Sequence, residues 1–588
     1  MYEKQKNIWS KSWKLPGSFL GWLLLVTGSA LLISVLGALI IDGMRIKEDL
    51  GIIVAVTTVA IAVAIIFLLI RWSSSRRNFK RFLFGLACFA TLVALFYAEE
   101  DWRGRYNWEK FKRERGAKGE KFDWLSVVPP PVPDDQNFAL TPIVFTSYGF
   151  MLGRDGKEIP HEHRDTNFVQ RMNMSVAHNN YLPATNGMGD RQSARLSDLI
   201  FWQKYYRTLA ATTNEFPTAL LPQTPAQDVL LALSKYDSNI EELMQASQLP
   251  YSRFPLNYDS ENPSMIFLPH LAALKYCAEL LQLRAIAELQ NGESEKALND
   301  VKLTLRLVDS ISAEPFLISH LVRIAMMNLA LQPVWEGLAE HQWSDAQLVE
   351  LDQILAKLDL LVDYGVAMRG ERGLGIGVVD FLQHNRRVSK LAEFSDFEST
   401  GYLKPSTMAI IYRLSPSGWF DQNKLRIAQF ETRWYLPLAD IQSRTVSPKS
   451  TQSASDALDK EIGTLRSNPY NWLEKILMPG LSQAVIKFAS AQISADMARV
   501  ATALERYRLA NGEYPQFLDA LAPKFIAQVP HDIIGGEPLK YRRTSDGQFI
   551  LYSVGWNEKD DGGVVGYHKG SAAPNFQFGD WVWRYPAK

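Results

Sequence analysis

Three runs of apolar residues dominate the first hundred positions. Residues 17–41 and 51–70 carry no charged side chain, and a shorter uncharged run covers 82–98. A helix rises about 1.5 Å per residue, so about 20 apolar residues cross a hydrocarbon core of about 30 Å. The pattern therefore predicts a membrane anchor over 1–100 with three transmembrane helices. A cleaved signal peptide does not account for the first run, which is too long and is followed by two more. Beyond residue 100 no comparable run occurs, and the pattern changes character.

Residues 101–140 mix Trp102, Tyr106, Trp108 and Phe111 with Arg103, Arg105, Lys110, Lys112 and Arg113. Two readings stand: a helix lying in the membrane interface, or an ordinary solvated helix. Pro129, Pro130, Pro131 and Pro133 then predict a short stiff spacer, ended by Asp134 and Asp135. Over 141–260 the periodicity is weak and turn formers are frequent, as at 179–183 and Asn186-Gly187, so mixed structure is expected.

From Leu268 the period becomes helical. Leu274, Cys277, Ala278, Leu281, Ala285 and Leu289 share one face, and Asn291-Gly292 ends that helix. The next helix carries Ala297, Val301, Leu305 and Leu307, and the glycine-to-alanine spacing looks like a tetratricopeptide helix hairpin. A third helix runs through Leu317, Leu321, Ile324 and Leu329. Ser344 with Gln347 forms the signature of a capping box before Leu348, Leu351, Leu355 and Leu358. Further helices are expected over 362–384 and 419–442, which makes 261–442 a helical bundle or short solenoid. Gly373, Gly375 and Gly377 lack the spacing and the preceding strand of a dinucleotide loop. They predict a helix break or a close-packing site.

Ser and Thr crowd residues 443–468, which reads as a linker. After it, 469–588 predicts a long helix from Pro479 to Leu509, stopped by Asn511-Gly512. Strands are expected over 539–542 and 549–554, followed by a glycine-rich loop. The helix should bury Ile486, Ile493, Met497, Val500 and Leu504 and leave Glu505 and Arg508 near solvent.

The segment Ala503-Leu504-Glu505-Arg506-Tyr507-Arg508, followed by Asn511-Gly512-Glu513-Tyr514-Pro515, resembles the C-terminal domain of the major pseudopilins of type II secretion. The likeness continues through Leu518, Leu521, Pro530, Asp532, Gly536, Pro538 and Tyr541. It reaches Tyr552-Ser553-Val554-Gly555 and Asp560-Asp561-Gly562-Gly563, about 100 residues in all. It implies a small α+β pseudopilin-like domain, and a calcium site in the loop after the last strand with Asn557, Asp560 and Asp561 as oxygen donors. A β-turn with Asp-Gly chemistry is the alternative for that loop. Pseudopilins begin with a basic leader and one span. Three spans without such a leader predict a borrowed module rather than a polymerising subunit. The arrangement as a whole is similar to that of bacterial membrane-anchored proteins.

Charge adds direction to this picture. The chain holds 63 basic and 63 acidic residues, but residues 1–98 carry 11 Lys and Arg against 4 Asp and Glu, leaving 52 against 59 for the rest. Arg71, Arg76, Arg77, Lys80 and Arg81 fill the second loop, and Lys4, Lys6, Lys11 and Lys14 the N-terminal tail. Glu99, Glu100 and Asp101 follow the third span. By the positive-inside rule the N-terminus faces the cytoplasm of a bacterial inner membrane and the large C-terminal part is periplasmic. The acidic remainder argues against nucleic acid as a partner. The two cysteines, Cys88 and Cys277, lie in an apolar span and a helical pattern and do not suggest a disulfide.

Candidate chemistry is sparse. His161, His163 and Asp165 alternate, so on a strand they share a face that could hold a metal; a polar surface loop is the simpler reading. No HExxH motif, nucleophile elbow or Walker loop occurs. The expectation is a membrane-anchored extracytoplasmic protein, non-enzymatic, with a helical interaction surface and with lipid and envelope proteins as partners. An accessory role in a type II secretion or pilus-like system is the first alternative, and a metal-dependent extracytoplasmic enzyme the second.

Overall fold

The computed structural model describes residues 75–145, 150–152, 158–160, 171–177, 187–386, 412–463, 470, 473–477, 481–571 and 573–586. These are mostly helical, with a small sheet region toward the C-terminus. The runs at 17–41 and 51–70, the His161 cluster and residues 179–186 lie outside the described residues.

The third apolar run belongs to helix α1, Arg76–Gly116, 41 residues long. At 1.5 Å per residue its axis measures about 60 Å, twice a hydrocarbon core. Leu83, Phe84, Leu86, Phe89, Leu92, Leu95 and Phe96 are all exposed, as a lipid-facing stretch requires. Among the described residues two helices are long and apolar enough to cross a membrane. The other, Leu317–Ala339, has 61% of its apolar window buried within the protein and is a core helix. The aromatic and basic residues after position 101 do not form a helix of their own. They continue α1 without a break, because neither a proline nor a capping residue interrupts the register.

The remaining long helices are α2 (Leu199–Ala210), α3 (Pro225–Leu233), α4 (Asp237–Ala246), α5 (His270–Gln290), α6 (Ser294–Ser310), α7 (Leu317–Ala339), α8 (Asp345–Leu355), α9 (Leu360–His384), α10 (Ser417–Phe430), α11 (Pro448–Gly463) and α12 (Leu481–Asn511). Two short hairpins accompany them, β1 (Phe150–Leu152) with β2 (Glu158–Pro160), and β3 (Ala439–Asp440) with β4 (Thr445–Val446). Strands β5 (Lys540–Arg543), β6 (Phe549–Ser553) and β9 (Trp581–Arg584) form an antiparallel sheet in the order β5-β6-β9. Strands β7 (Val565–Tyr567) and β8 (Pro574–Gly579) form a separate hairpin.

Two compact units result. The first draws on residues within Met1–Lys118, Val379–Arg426 and Arg466–Ile476. Here Glu100, Gly104 and Trp108, one turn apart on α1, turn inward. A Cβ on Gly104 would lie 2.2 Å from the Gly418 carbonyl oxygen, so only glycine permits this approach. Asp101 Oδ1 accepts from the Gly418 N–H at 2.8 Å, and Glu100 Oε2 from Trp419 Nε1 at 3.0 Å. Tyr470 accepts from Arg103 and donates to Glu100 Oε1, at 2.9 and 3.0 Å.

The second unit comprises Gly119–Val378, Ile427–Leu465 and Leu477–Lys588. Helices α5, α6 and α7 pack on one another, with α3 against α5. Gly292 turns the α5–α6 corner at φ +78°, and Ala297 is fully buried beyond it, as the hairpin pattern predicts. Ser344 and Gln347 close the expected capping box on α8. The three glycines at 373–377 lie inside the continuous α9 and do not break it. Two of them sit at close-packed points, where a Cβ on Gly377 would meet Pro263 Cγ at 2.8 Å and one on Gly373 would meet Val127 Cγ2 at 3.0 Å, whereas at Gly375 the nearest atom is 3.6 Å away. The helix expected over 419–442 ends earlier. After Phe430 it widens into a π-turn, Glu431–Tyr435, and a single 3₁₀ turn ends at Leu438, where Pro437 offers no N–H to continue.

Two expectations about the C-terminal third need correction. The Ser/Thr-rich stretch 443–468 is not an open linker: α11 occupies Pro448–Gly463. Thr451, Ala454 and Leu458 recur at helical spacing and bury against α12, a face that polar composition conceals. Residues 469–588 are likewise not set apart from the helical region. Helix α12 buries the five predicted apolar residues, but it also packs along α7 and α8, and is covered around most of its circumference. Arg499 and Arg506 bond Asp352 and Asp345 of α8 at 2.8 Å each, and Trp335 of α7 donates to the Arg584 carbonyl of β9 at 3.0 Å. Glu505, expected near solvent, is consequently 1% exposed.

Candidate functional site

The loop from Val554 to Val564 holds all three predicted donors. Asp532 anchors its start, accepting from Ser553 Oγ at 2.9 Å and the Val554 N–H at 3.0 Å. Gly555, Gly562 and Gly563 adopt φ of +66°, +73° and +81°, which lets the chain curl back over its own backbone. Asn557 Nδ2 donates to Asp561 Oδ2 at 2.8 Å, so these two side chains meet. Asp560 turns to Tyr552, whose hydroxyl donates to Oδ1 at 3.0 Å, and the same oxygen accepts from the Gly562 N–H. The loop is closed by Asp580, which the sequence reading left outside the site. Its carboxylate accepts from the Gly563 and Asp561 N–H groups at 2.7 and 3.3 Å, and burial raises its pKa. One oxygen each of Asp560 and Asp561, and both of Asp580, thus accept from side-chain and backbone donors of the loop itself, the arrangement of Asp-Gly turn chemistry. An ion at this place would have Asp560 Oδ2 and Asp561 Oδ1 to draw on, while the Asn557 oxygen accepts from the Lys559 N–H at 3.1 Å. Among the described residues no group of three His, Cys, Asp or Glu side chains converges as a metal-holding set.

Three polar clusters that sequence reasoning missed lie inside the helical core. His270 Nε2 meets Glu314 Oε1 at 2.8 Å, Ser319 donates to Glu314 Oε2, and His320 Nε2 bonds the Glu314 carbonyl at 2.9 Å. A serine, two histidines and a carboxylate resemble hydrolase machinery, but geometry denies that role. Ser319 gives its proton to the glutamate rather than to a histidine, and all four residues are at most 3% exposed. Burial, with the neighbouring Arg323 charge, lowers the His320 pKa to about 4 and keeps the ring neutral. The cluster ties the start of α5 to the start of α7.

At the second cluster Arg372, in the middle of α9, is fully buried. It bonds Glu431 at 2.9 Å, Glu120 at 2.7 Å and the Lys121 carbonyl at 2.8 Å, with its guanidinium 4.5 Å from the Phe122 ring centre. Burial pushes Glu431 up to about 7 against the pull of Arg372. The third lies between α5 and α6, where Glu288 and Asp300 share Arg284. Burial raises both carboxyls; the Asp300 charge raises Glu288 further, while the Arg284 charge pulls both down and a hydrogen bond with Glu288 also holds Asp300 lower. Their only sequence signal is a charged residue on an otherwise apolar helix face, as at Glu288 one position before Leu289.

No protein-family model, curated protein or solved structure matches this chain.

Proposed function

We propose that this chain is a membrane-anchored extracytoplasmic binding or scaffold protein, non-enzymatic, whose helical unit presents a surface to other envelope proteins. The observation that carries the reading is α1, which exposes its whole apolar stretch and then runs on into a folded unit. The two apolar runs before it complete an anchor of three transmembrane helices. The basic second loop and acidic exit support an N-terminus in the cytoplasm and the large part in the periplasm. Consistent with a scaffold, several charged side chains, among them His270 with Glu314, Arg372 with Glu431 and Arg499 with Asp352, join separate helical segments. Alkaline phosphatase fused after Lys588 should be active and after Arg77 inactive; the opposite pattern refutes the topology.

A second reading, an accessory of a type II secretion or pilus-like system, is favoured by one observation. Helix α12 ends at an Asn-Gly turn with Gly512 at φ +85° and is followed by a three-stranded antiparallel sheet, the order that the pseudopilin resemblance implies. Under that reading the loop of Asn557, Asp560 and Asp561 takes calcium. Crosslinking in intact envelopes followed by mass spectrometry separates the two. Capture of pseudopilins selects the second, and their absence among captured envelope proteins selects the first.

A further inference from the structure

Among the described residues of the second unit, Arg191 is a buried cation that makes no salt bridge, the charge of its neighbour Asp190 acting on it only at a distance. Arg191 sits in a tight turn closed by the Asp190–Arg195 backbone pair, and is 5% exposed. Its Nη2 donates to Ser494 Oγ at 3.2 Å and to Asn328 Oδ1 at 3.4 Å, while the guanidinium lies 5.1 Å from the Trp583 ring centre. Among the described residues neither Nε nor Nη1 makes a hydrogen bond and Arg191 makes no salt bridge, and the little exposure the side chain keeps leaves these two nitrogens open to a small solvent-borne partner. Asp190, its sequence neighbour, directs its oxygens to the Gln192 N–H and to Ser193 Oγ. Burial lowers the Arg191 pKa to about 10, which still leaves the side chain charged at neutral pH. A charge taken this far into a protein is normally paired, because most of its hydration is lost, and what remains here is a narrow opening beside Nε and Nη1.

Beside it lies a cavity of about 20 Å³, bordered by Arg191, Gln192, Ser494, Met497, Phe576 and Trp581. That volume holds about one water-sized group. Among the described residues the Ser494 hydroxyl accepts from Arg191 and meets no acceptor for its own proton, and the half-buried side-chain amide of Gln192 makes no hydrogen bond. Asp580 also borders the cavity, but its oxygens face the Gly563 and Asp561 N–H groups. Donors without acceptors therefore surround a small space next to a fixed positive charge. Both two-pronged edges of a guanidinium include Nη2, which is occupied here, so the remaining Nε and Nη1 can each offer only a single bond. A carboxylate or phosphate gripped by a fork is disfavoured by that geometry as well as by size.

We propose that this cavity binds a small monovalent anion of the halide class, with Arg191 supplying the charge and Ser494 a hydroxyl donor. The ion ties the 190–195 turn to α12 and the β7–β8 hairpin, and stabilises the folded state by binding it alone. The test is thermal unfolding of the full chain in detergent, at constant ionic strength, as sodium gluconate is replaced by sodium chloride or bromide. The melting temperature should rise and saturate with halide, opposite to the general ranking of these salts as stabilisers. Ser494→Ala should shift the half-saturating halide concentration upward by at least about fivefold, a loss of about 1 kcal/mol of binding free energy. Arg191→Met should abolish the halide response. Equal melting temperatures in gluconate and chloride overturn the proposal, as does a halide response that Arg191→Met leaves intact. If Arg191→Met does not fold, Ser494→Ala decides, and an unchanged half-saturation point overturns it.

Discussion

Glu505 offers a sharp test of how the C-terminal helix is buried. A position near solvent predicts an ordinary carboxylate whose replacement is nearly neutral. In the structure its oxygens accept from Arg508 at 2.6 and 2.9 Å, Tyr514 OH at 2.8 Å and His341 Nδ1 at 3.0 Å. Burial alone would raise its pKa, but these donors and the nearby charges outweigh it and hold the group at about 2, against 4.5 for a free glutamate. A depressed carboxylate stabilises the folded state above its unfolded pKa, and that contribution is lost as pH falls through the folded value. The window here runs from about pH 4.5 down to about pH 2. Across it the wild type should lose about 3 kcal/mol of stability from this residue, at about 1.4 kcal/mol for each pH unit. Glu505→Gln keeps the shape and removes the charge, so it should lose about 2–3 kcal/mol at pH 7 and converge on the wild type near pH 2. Urea unfolding of both proteins in detergent at pH 7, 4.5, 3 and 2, followed by tryptophan fluorescence, measures the difference. A variant within about 0.5 kcal/mol of wild type at pH 7, with parallel pH dependence, refutes the assigned network.

Other expectations follow from the same packing. Leu504→Ala, at a fully buried position, should cost about 2–5 kcal/mol by urea unfolding. Gly370→Ala brings a methyl group to 1.7 Å from the Pro315 carbonyl oxygen and should destabilise by about 1–3 kcal/mol or more, visible as a lowered melting temperature. Burial raises Glu288 and Asp300, so their cost to the folded state grows as pH rises above the unfolded carboxylate range; Asp300→Asn should flatten the decline in stability measured between pH 5 and pH 8. If the loop at Asp560 and Asp561 takes calcium, the ion should raise the melting temperature and Asp561→Ala should remove that increment, whereas identical melting with calcium and chelator ends the metal reading.

What could be read from the sequence was what repeats locally. The capping box at Ser344, the glycine corner at Gly292 and the apolar face from Ile486 to Leu504 depend on residues a few positions apart, and each is found where expected. Long-range partners left no such trace. Glu505 reads as a surface residue because nothing nearby in sequence announces that His341 and Tyr514 converge on it. The helix at Pro448–Gly463 was hidden for a related reason: its buried face is made of Thr451, Ala454 and Leu458, too small and polar to show as a stripe. Asp580, which closes the 554–564 loop, lies 19 residues beyond Asp561 and shares no motif with it.

The continuity of α1 has a mechanical consequence. A domain tethered by a flexible segment feels little of what happens to its anchor. Here the same rod that in the proposed anchor would meet the lipid carries Glu100, Gly104 and Trp108 into a packed contact, with no joint between the two. Tilt is the usual response of a long apolar helix to a thinner bilayer. A change of tilt of about 10° swings a point about 27 Å along the rod, the distance spanned by the 18 residues past Ala98, through about 5 Å. In the proposed anchor, bilayer thickness would thereby be converted into displacement of the first unit, and α1 would act as a lever as well as a tether.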